Sequence, residues 1–126
     1  MSCVNQHYTE LIILAPVLSE LAKASQAAGL VTALEVFADR TYEDDGTLTP
    51  RSIEGSLITD PSQASDHVQK MIEEKAIISR SGKKLPTTFH SICLHSDTPN
   101  SVEISNQICI LLHSMGVQQQ TLPELF

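Results

Sequence analysis

The sequence predicts an α/β fold built mostly from parallel strand–helix units. Short apolar runs rich in β-branched residues are each followed by an amphipathic segment with helical spacing, and no linker or low-complexity tract interrupts this alternation. Strands joined through helices form right-handed crossovers, which place the strands parallel and cover the sheet with helices. With 126 residues, the chain forms one domain at most.

The first part of the chain predicts one strand–helix unit and a second strand. Residues 11–15 form a β-branched apolar run that ends at Pro16. Residues 17–28 place apolar side chains at helical spacing, and Gly29 closes this helix as a C-terminal cap. Residues 31–38 are apolar except for two side chains, as in a strand covered on both faces.

A second helix and a short hairpin follow an acidic loop. Asp60 is a typical N-cap and Pro61 favours the first helical position, so a helix is predicted from there to near residue 76. Residues 77–85 contain two short apolar pairs around a turn, which predicts a hairpin over the edge of the sheet.

The last part of the chain repeats the strand–helix pattern. Residues 90–94 are predicted as the third core strand. Thr98 and Pro99 then provide a cap and a proline for a final helix that ends before Gly116. Residues 118–126 have no clear period and are predicted to be a flexible tail.

Composition limits the classes of function. The chain has 15 acidic against 8 basic side chains, which gives a formal net charge of −7 that repels the phosphates of nucleic acids and anionic lipids. Cys3, Cys93 and Cys109 are an odd number without C-x-x-C spacing, which indicates neither a disulfide framework nor a zinc knuckle. Reduced thiols, together with the lack of a membrane-spanning apolar run or a signal region, predict a cytoplasmic location.

Charged side chains cluster at the end of the second predicted strand. Glu35, Asp39, Arg40 and Arg51 lie where α/β folds carry their chemistry, at the carboxyl end of a buried strand. Glu35 is a candidate general acid or base, and an ion pair with Arg40 or Arg51 is the alternative. Asp39 and Arg40 are consecutive, so at most one should face a shared pocket. Arg51 can bind a carboxylate through its planar guanidinium, or form a surface salt bridge.

His95 and Asp97 follow the third predicted strand. Two residues apart on an extended segment, they are expected to face the same side, where Asp97 could orient the His95 imidazole for proton transfer. Alternatively, Asp97 could accept hydrogen bonds from backbone N–H groups of the next helix. A metal would need a further ligand, which neither His90 nor His113 is placed to supply, so no metal is expected.

The remaining candidate side chains are assigned to structure. The histidines expected at the surface are His7, His67 and His113. The side chains that lack the neighbouring base of a nucleophile are Ser19, Cys93 and Ser96, and Cys93 is expected to be a core thiol.

The two polar segments resemble the LamB/YcsF family, which carries V-F-A-D-R-x-Y-x-x-D-G-x-L-x-x-R and, further along, C-x-H-G-D-x-P-x-A-V. The residues that match the first motif are Val36, Phe37, Ala38, Asp39, Arg40, Tyr42, Asp45, Gly46, Leu48 and Arg51. The residues that match the second are Cys93, His95, Asp97, Pro99 and Val102. The departures are Ser96, where the family has glycine, Asn100-Ser101, where it usually has Gly-Ala, and Thr59, where a histidine is common.

The resemblance implies an enzyme, because bacterial members of the family form the A subunit of an ATP-dependent 5-oxoprolinase, which hydrolyses the lactam 5-oxoproline to glutamate. It also implies that residues 1–117 are the C-terminal part of a distorted (β/α) barrel, because the N-terminal motifs of the family, such as D-L-N-x-D-x-G-E-G, are absent. The chain is therefore expected to correspond to the C-terminal half of a family member. ATP and magnesium are implied as cofactors, but no G-x-x-x-x-G-K-[ST] loop is present, so this chain alone is not expected to bind them.

The residues and the resemblance together predict a site and two possible roles. The predicted catalytic residues are Glu35, Asp39, His95 and Asp97, and the predicted substrate-binding residues are Arg40 and Arg51. The carboxyl ends of the second and third strands should converge and bring these groups into one cleft. The alternative role is a non-catalytic remnant that binds other 5-oxoprolinase subunits or copies of itself through an open sheet. The purified chain alone is predicted to be inactive.

Overall fold

The computed structural model describes residues 11–126, which form a three-stranded parallel sheet and a separate two-stranded antiparallel sheet. The parallel sheet contains β1 (Ile12–Pro16), β2 (Val31–Phe37) and β5 (Ser91–Cys93) in the order β1-β2-β5. The antiparallel pair is the predicted hairpin, formed by β3 (Ala76–Ile78) and β4 (Lys84–Pro86). The α/β fold class with a parallel sheet predicted from the sequence is confirmed.

Four helices accompany the strands: α1 (Glu20–Ala27), α2 (Pro61–Glu74), α3 (Ser101–Ser114) and the short α4 (Leu122–Leu125). Helices α2 and α3 pack against each other, and the apolar side chains of the helices and the sheet meet in one core. The largest apolar side chains that are fully buried in this core are Val36, Val68, Met71, Ile77 and Ile104.

Helix α2 begins where the sequence predicts. The Asp60 carboxylate accepts a hydrogen bond from the Gln63 N–H at 3.0 Å, and Pro61 occupies the first turn. The helix ends at Lys75, whose left-handed backbone breaks the helical hydrogen bonding and turns the chain into β3.

Helix α3 begins later than predicted. Its N-cap is Asn100, at a φ of 62° and without a side-chain capping bond, rather than Thr98. The Thr98 hydroxyl instead donates to the Asp39 carboxylate at 2.8 Å. The predicted cap at Thr98 is therefore wrong, because a buried carboxylate competes for the same hydroxyl.

The strand register decides which side chains share a face of the parallel sheet. Glu35 pairs with Ser91, and Phe37 pairs with Cys93. In a parallel sheet, paired residues point to the same side and alternate along each strand, so Glu35, Phe37 and Cys93 share one face. Val36 points to the opposite face, where it is fully buried against the helices.

The face that carries Glu35 and Phe37 is open, and we call it the open face. Leu14 and Val31 are 44% and 43% exposed there, although the small side chain of Ala33, the partner of Leu14, is fully buried. Strands β1 and β5 each also have one edge without a strand partner in this part of the chain.

The end of the chain contains local structure that its sequence pattern did not predict. Residues 118–126 include α4, and the Phe126 ring centroid lies 4.8 Å from that of His90. No helix in the described part of the chain is both long and apolar enough to cross a membrane.

Candidate functional site

The carboxyl ends of β2 and β5 meet at Asp39, whose carboxylate is buried. It accepts three hydrogen-bond donors: the backbone N–H of His95 at 2.9 Å, ring Nδ1 of His95 at 3.0 Å and the Thr98 hydroxyl at 2.8 Å. This arrangement joins the end of β2 to the loop between β5 and α3. The structure thus brings together the predicted site residues Asp39 and His95.

Asp39 is held as a carboxylate. Burial would raise its pKa, but the hydrogen bonds from the backbone and ring of His95 and from the Thr98 hydroxyl outweigh burial and lower the pKa below its usual value. An ionised carboxylate only accepts hydrogen bonds, so the His95 ring must donate from Nδ1. In the neutral ring, the lone pair is then on Nε2.

The ring of His95 is fixed from a second direction by Phe37. The two rings are parallel within 3°, with centroids 5.5 Å apart, in an offset stack. The side chain of His95 remains 28% exposed, and Nε2 makes no hydrogen bond with any described residue. Nε2 is therefore free to exchange a proton with a bound molecule.

Glu35 is half-buried and lies on the same face of the parallel sheet as Phe37, two residues earlier in β2. It forms no ion pair with Arg40 or Arg51, so the structural alternative predicted for it is wrong within the described part of the chain. Burial and the nearby charges of Glu35 and Asp39 raise the pKa of the Cys93 thiol to about 11, which keeps this thiol protonated and a poor nucleophile.

Arg40 is used within the loop after β2. Its side chain is buried, Nη2 donates to the Thr49 carbonyl at 2.9 Å, and Nε has no partner among the described residues. The guanidinium thus binds within the loop through Nη2, and the contact between Arg40 and a substrate stays a prediction. Arg51 is exposed and makes no side-chain hydrogen bond with a described residue, so it remains free to bind a carboxylate.

Tyr42 and the acidic residues explain why this loop has a fixed shape. The Tyr42 hydroxyl accepts a hydrogen bond from the Phe37 N–H at 3.0 Å and so takes the place of a backbone carbonyl at the end of β2. Burial raises the pKa of Tyr42 to about 12. Glu43 binds Arg80 at 2.6 Å, and Asp44 accepts the Ser79 hydroxyl at 2.6 Å, which ties the loop to the β3–β4 hairpin.

Asp97 does not pair with His95. It is exposed and forms no hydrogen bond through its side chain within residues 11–126. The predicted pairing assumed an extended chain, but the Thr98 N–H donates to the His95 carbonyl at 3.3 Å, which makes a turn. The carboxylate that contacts His95 is Asp39, and the predicted proton-relay pair of His95 and Asp97 is wrong.

Several residues near the site were not singled out from the sequence. Thr98 was interpreted as a helix cap, and Phe37 and Tyr42 only as members of a motif. His67, expected at the surface, is half-buried: its ring lies 6.2 Å from that of Tyr42, and burial lowers its pKa.

The described residues contain no group of His, Cys, Asp and Glu side chains that could hold a metal ion.

The chain is similar to a protein family and to several known proteins. The model of the LamB/YcsF family matches residues 1–126. The A subunit of 5-oxoprolinase from Azoarcus sp. is 41% identical over 116 residues, which are 92% of this chain and 45% of that protein. The corresponding A subunit from Coprothermobacter proteolyticus is 42% identical over 105 residues, covering 83% of this chain and 40% of that protein.

A solved structure shows the same fold. The lactam utilization protein from Thermus thermophilus superposes with a TM-score of 0.81 at 28% sequence identity, over 94% of this chain and 47% of that protein. The chain thus spans less than half the length of these relatives. The family match along the whole sequence, together with the shared fold, shows that this chain belongs to the LamB/YcsF family.

Proposed function

We propose that this chain is part of the A subunit of an ATP-dependent 5-oxoprolinase, where it contributes a proton-transfer group for opening the lactam of 5-oxoproline. The names of its relatives support the choice of substrate. The observation that carries the chemistry is the Asp39–His95 pair, in which a buried carboxylate orients an imidazole whose Nε2 is free.

The reaction needs the proton transfers that such a pair can perform. Hydrolysis of a lactam joins water to the carbonyl carbon, breaks the ring C–N bond and adds a proton to the departing nitrogen. His95 Nε2 takes a proton from the attacking water, and the resulting imidazolium returns a proton to the nitrogen. Asp39 stabilises the imidazolium through Nδ1. Because Asp39 is buried, it positions His95 and does not touch the substrate.

Two further groups are assigned to the substrate. Glu35 lies on the same open face as Phe37, the residue stacked under His95, and we assign it a contact with the polar atoms of the lactam ring. Arg51 is exposed, and its guanidinium makes no hydrogen bond with a described residue, so we assign it to the carboxylate of 5-oxoproline.

We assign no nucleotide-binding role to this chain. The sequence has no phosphate-binding loop of the G-x-x-x-x-G-K-[ST] type. Of the basic groups near the strand ends, Arg40 binds the Thr49 carbonyl and Arg80 binds Glu43. We therefore assign ATP and magnesium to other parts of the enzyme.

A non-catalytic binding module is the second candidate function. The exposed Leu14 and Val31 on the open face, together with the free edges of β1 and β5 in the described part of the chain, favour it. The chain should then self-associate or bind another component of the 5-oxoprolinase. This candidate would be contradicted if the chain melts cooperatively and light scattering shows a monodisperse 13.8 kDa species both alone and in a mixture with the other subunits.

The test of the enzymatic proposal is a chimera. Residues 11–126 replace the matching part of the Azoarcus relative, and the chimera is assayed with the partner subunits of that enzyme, 5-oxoproline, ATP and magnesium. We expect glutamate release. The parent enzyme is the positive control, and proline, which has the carboxylate but no lactam, is the matched non-substrate. A folded chimera that releases no glutamate would contradict the proposal.

A further inference from the structure

Thr98 is the third group bound to the Asp39 carboxylate and is not required by the acid–base pair itself. It is buried, and its hydroxyl donates to Oδ2 at 2.8 Å. The same oxygen accepts the His95 N–H at 2.9 Å, while Oδ1 faces the His95 ring Nδ1 at 3.0 Å. Three donors thus fix the plane of one carboxylate.

The sequence predicts that the Thr98 hydroxyl caps helix α3, but in the structure it does not. A threonine followed by proline is a favoured start of a helix, yet α3 begins at Ser101 with no side-chain capping bond at Asn100. Asn100 also adopts a left-handed backbone, which asparagine tolerates better than most residues with a side chain. The side-chain cap of α3 is left unmade, while the Thr98 hydroxyl binds Asp39.

The loop around Thr98 is held in place independently of that hydroxyl. The Asn100 amide donates to the Thr59 carbonyl at 3.0 Å, and the Ser101 hydroxyl donates to the Ser96 carbonyl at 3.1 Å. These bonds anchor the loop on both sides of Thr98. Removal of the hydroxyl should therefore leave the loop folded and change mainly the carboxylate.

We propose that Thr98 is a positioning residue for His95. Its hydroxyl holds the Asp39 carboxylate in the orientation that keeps the His95 ring in the Nδ1–H form, with the Nε2 lone pair available for the substrate. Rotation about the last bond of an aspartate side chain is only weakly restricted, so the carboxylate depends on its donors for its orientation. The catalytic meaning of this role rests on the proposed function, but the geometry does not.

The experiment reads the tautomer of His95 directly, by ¹⁵N NMR of its ring nitrogens at alkaline pH. The wild-type chain should show a single form, protonated on Nδ1. Thr98→Val keeps the shape and removes the hydroxyl, and it should produce a mixture of both tautomers. Thr98→Ser should restore the single form. Thr87→Val is the matched control, because Thr87 is half-buried and its hydroxyl bonds only the neighbouring Thr88 carbonyl among the described residues.

Two outcomes would overturn the proposal. The first is a folded Thr98→Val chain that retains the wild-type tautomer. The second needs no variant and applies even if Thr98→Val fails to fold: the Thr98 hydroxyl proton of the wild-type chain should exchange slowly with water, and rapid exchange would show that it is not bound to Asp39.

The same variants separate this proposal from the proposed function. In the active chimera, Thr98→Val should lower kcat about tenfold and leave KM within about twofold, because the defect lies in proton transfer and not in substrate binding. If the wild-type chimera is inactive while the tautomer of His95 still depends on Thr98, the proposed function fails and the positioning role stands.

Discussion

The ring Nδ1 of His95 lies 3.0 Å from Oδ1 of Asp39, across the carboxyl ends of two adjacent parallel strands. This contact connects residues 56 positions apart in the sequence, and the backbone N–H of His95 binds the same carboxylate. It therefore stabilises the fold and orients a candidate catalytic ring at the same time.

Replacement of Asp39 by asparagine removes the charge but keeps the shape of the side chain, so it measures what the charge contributes to stability. We expect Asp39→Asn to lower the free energy of unfolding at pH 7 by about 2 kcal/mol, because charge-assisted hydrogen bonds become neutral ones. The pKa of Asp39 is lower in the folded state than in the unfolded state. Its contribution to stability is therefore fully present above the unfolded-state pKa of about 3.9 and is lost as the pH falls through the folded-state pKa. Urea unfolding at pH 7 and pH 3 should show that the difference between the two chains narrows at acid pH. A constant difference would contradict the ionised state of Asp39.

His67 should make the chain sensitive to mild acid. Burial lowers its folded-state pKa below the unfolded value of about 6.5, so the unfolded chain takes up the proton first. Its neutral form supports the fold fully above that value, and stability falls as the pH drops below it. His67→Phe keeps a ring beside Tyr42, so its unfolding free energy should fall less between pH 7.5 and 5.5 than that of the wild type. Equal losses would count against a buried neutral His67.

The two arginines after β2 should differ in what they stabilise. Arg40→Met leaves the buried Thr49 carbonyl without its donor, so we expect a loss of about 1–3 kcal/mol in unfolding free energy. Arg51→Met is the matched change at an exposed position and should stay within about 0.5 kcal/mol. Chemical denaturation of both variants decides the point. A larger effect at Arg51 would refute the loop role assigned to Arg40.

Gly46 should tolerate alanine less well than Gly29. Both glycines have positive φ, 88° and 78°, so each Gly→Ala change should cost about 1 kcal/mol in backbone strain. A Cβ at Gly46 would also lie 3.1 Å from Leu18 Cδ1, whereas no described atom lies within 4 Å of one at Gly29. Urea unfolding should show a further loss for Gly46→Ala. Equal losses would mean that the loop does not pack on Leu18.

Local patterns in the sequence predicted the elements better than they predicted the contacts between them. The Asp60-Pro61 start of α2 is a property of adjacent residues, so it was confirmed almost to the residue. The hydrogen-bond partner of His95 was predicted wrongly, because Asp39 follows a different strand and Asp97 is closer in sequence. Thr98 precedes a proline, which predicts a helix cap, but its hydroxyl donates a hydrogen bond to Asp39 in the folded chain. Long-range competition of this kind leaves no signal in a short window of sequence.

The catalytic role of His95 is tested by comparing His95→Gln with Asp97→Asn in the chimera with the Azoarcus relative. If His95, oriented by Asp39, performs the proton transfers, His95→Gln should lower kcat for glutamate release at least about a hundredfold. Asp97→Asn should stay within about threefold, because the Asp97 side chain makes no hydrogen bond with His95. Full activity of His95→Gln, or a loss with Asp97→Asn as large as that expected for His95→Gln, would contradict proton transfer by His95.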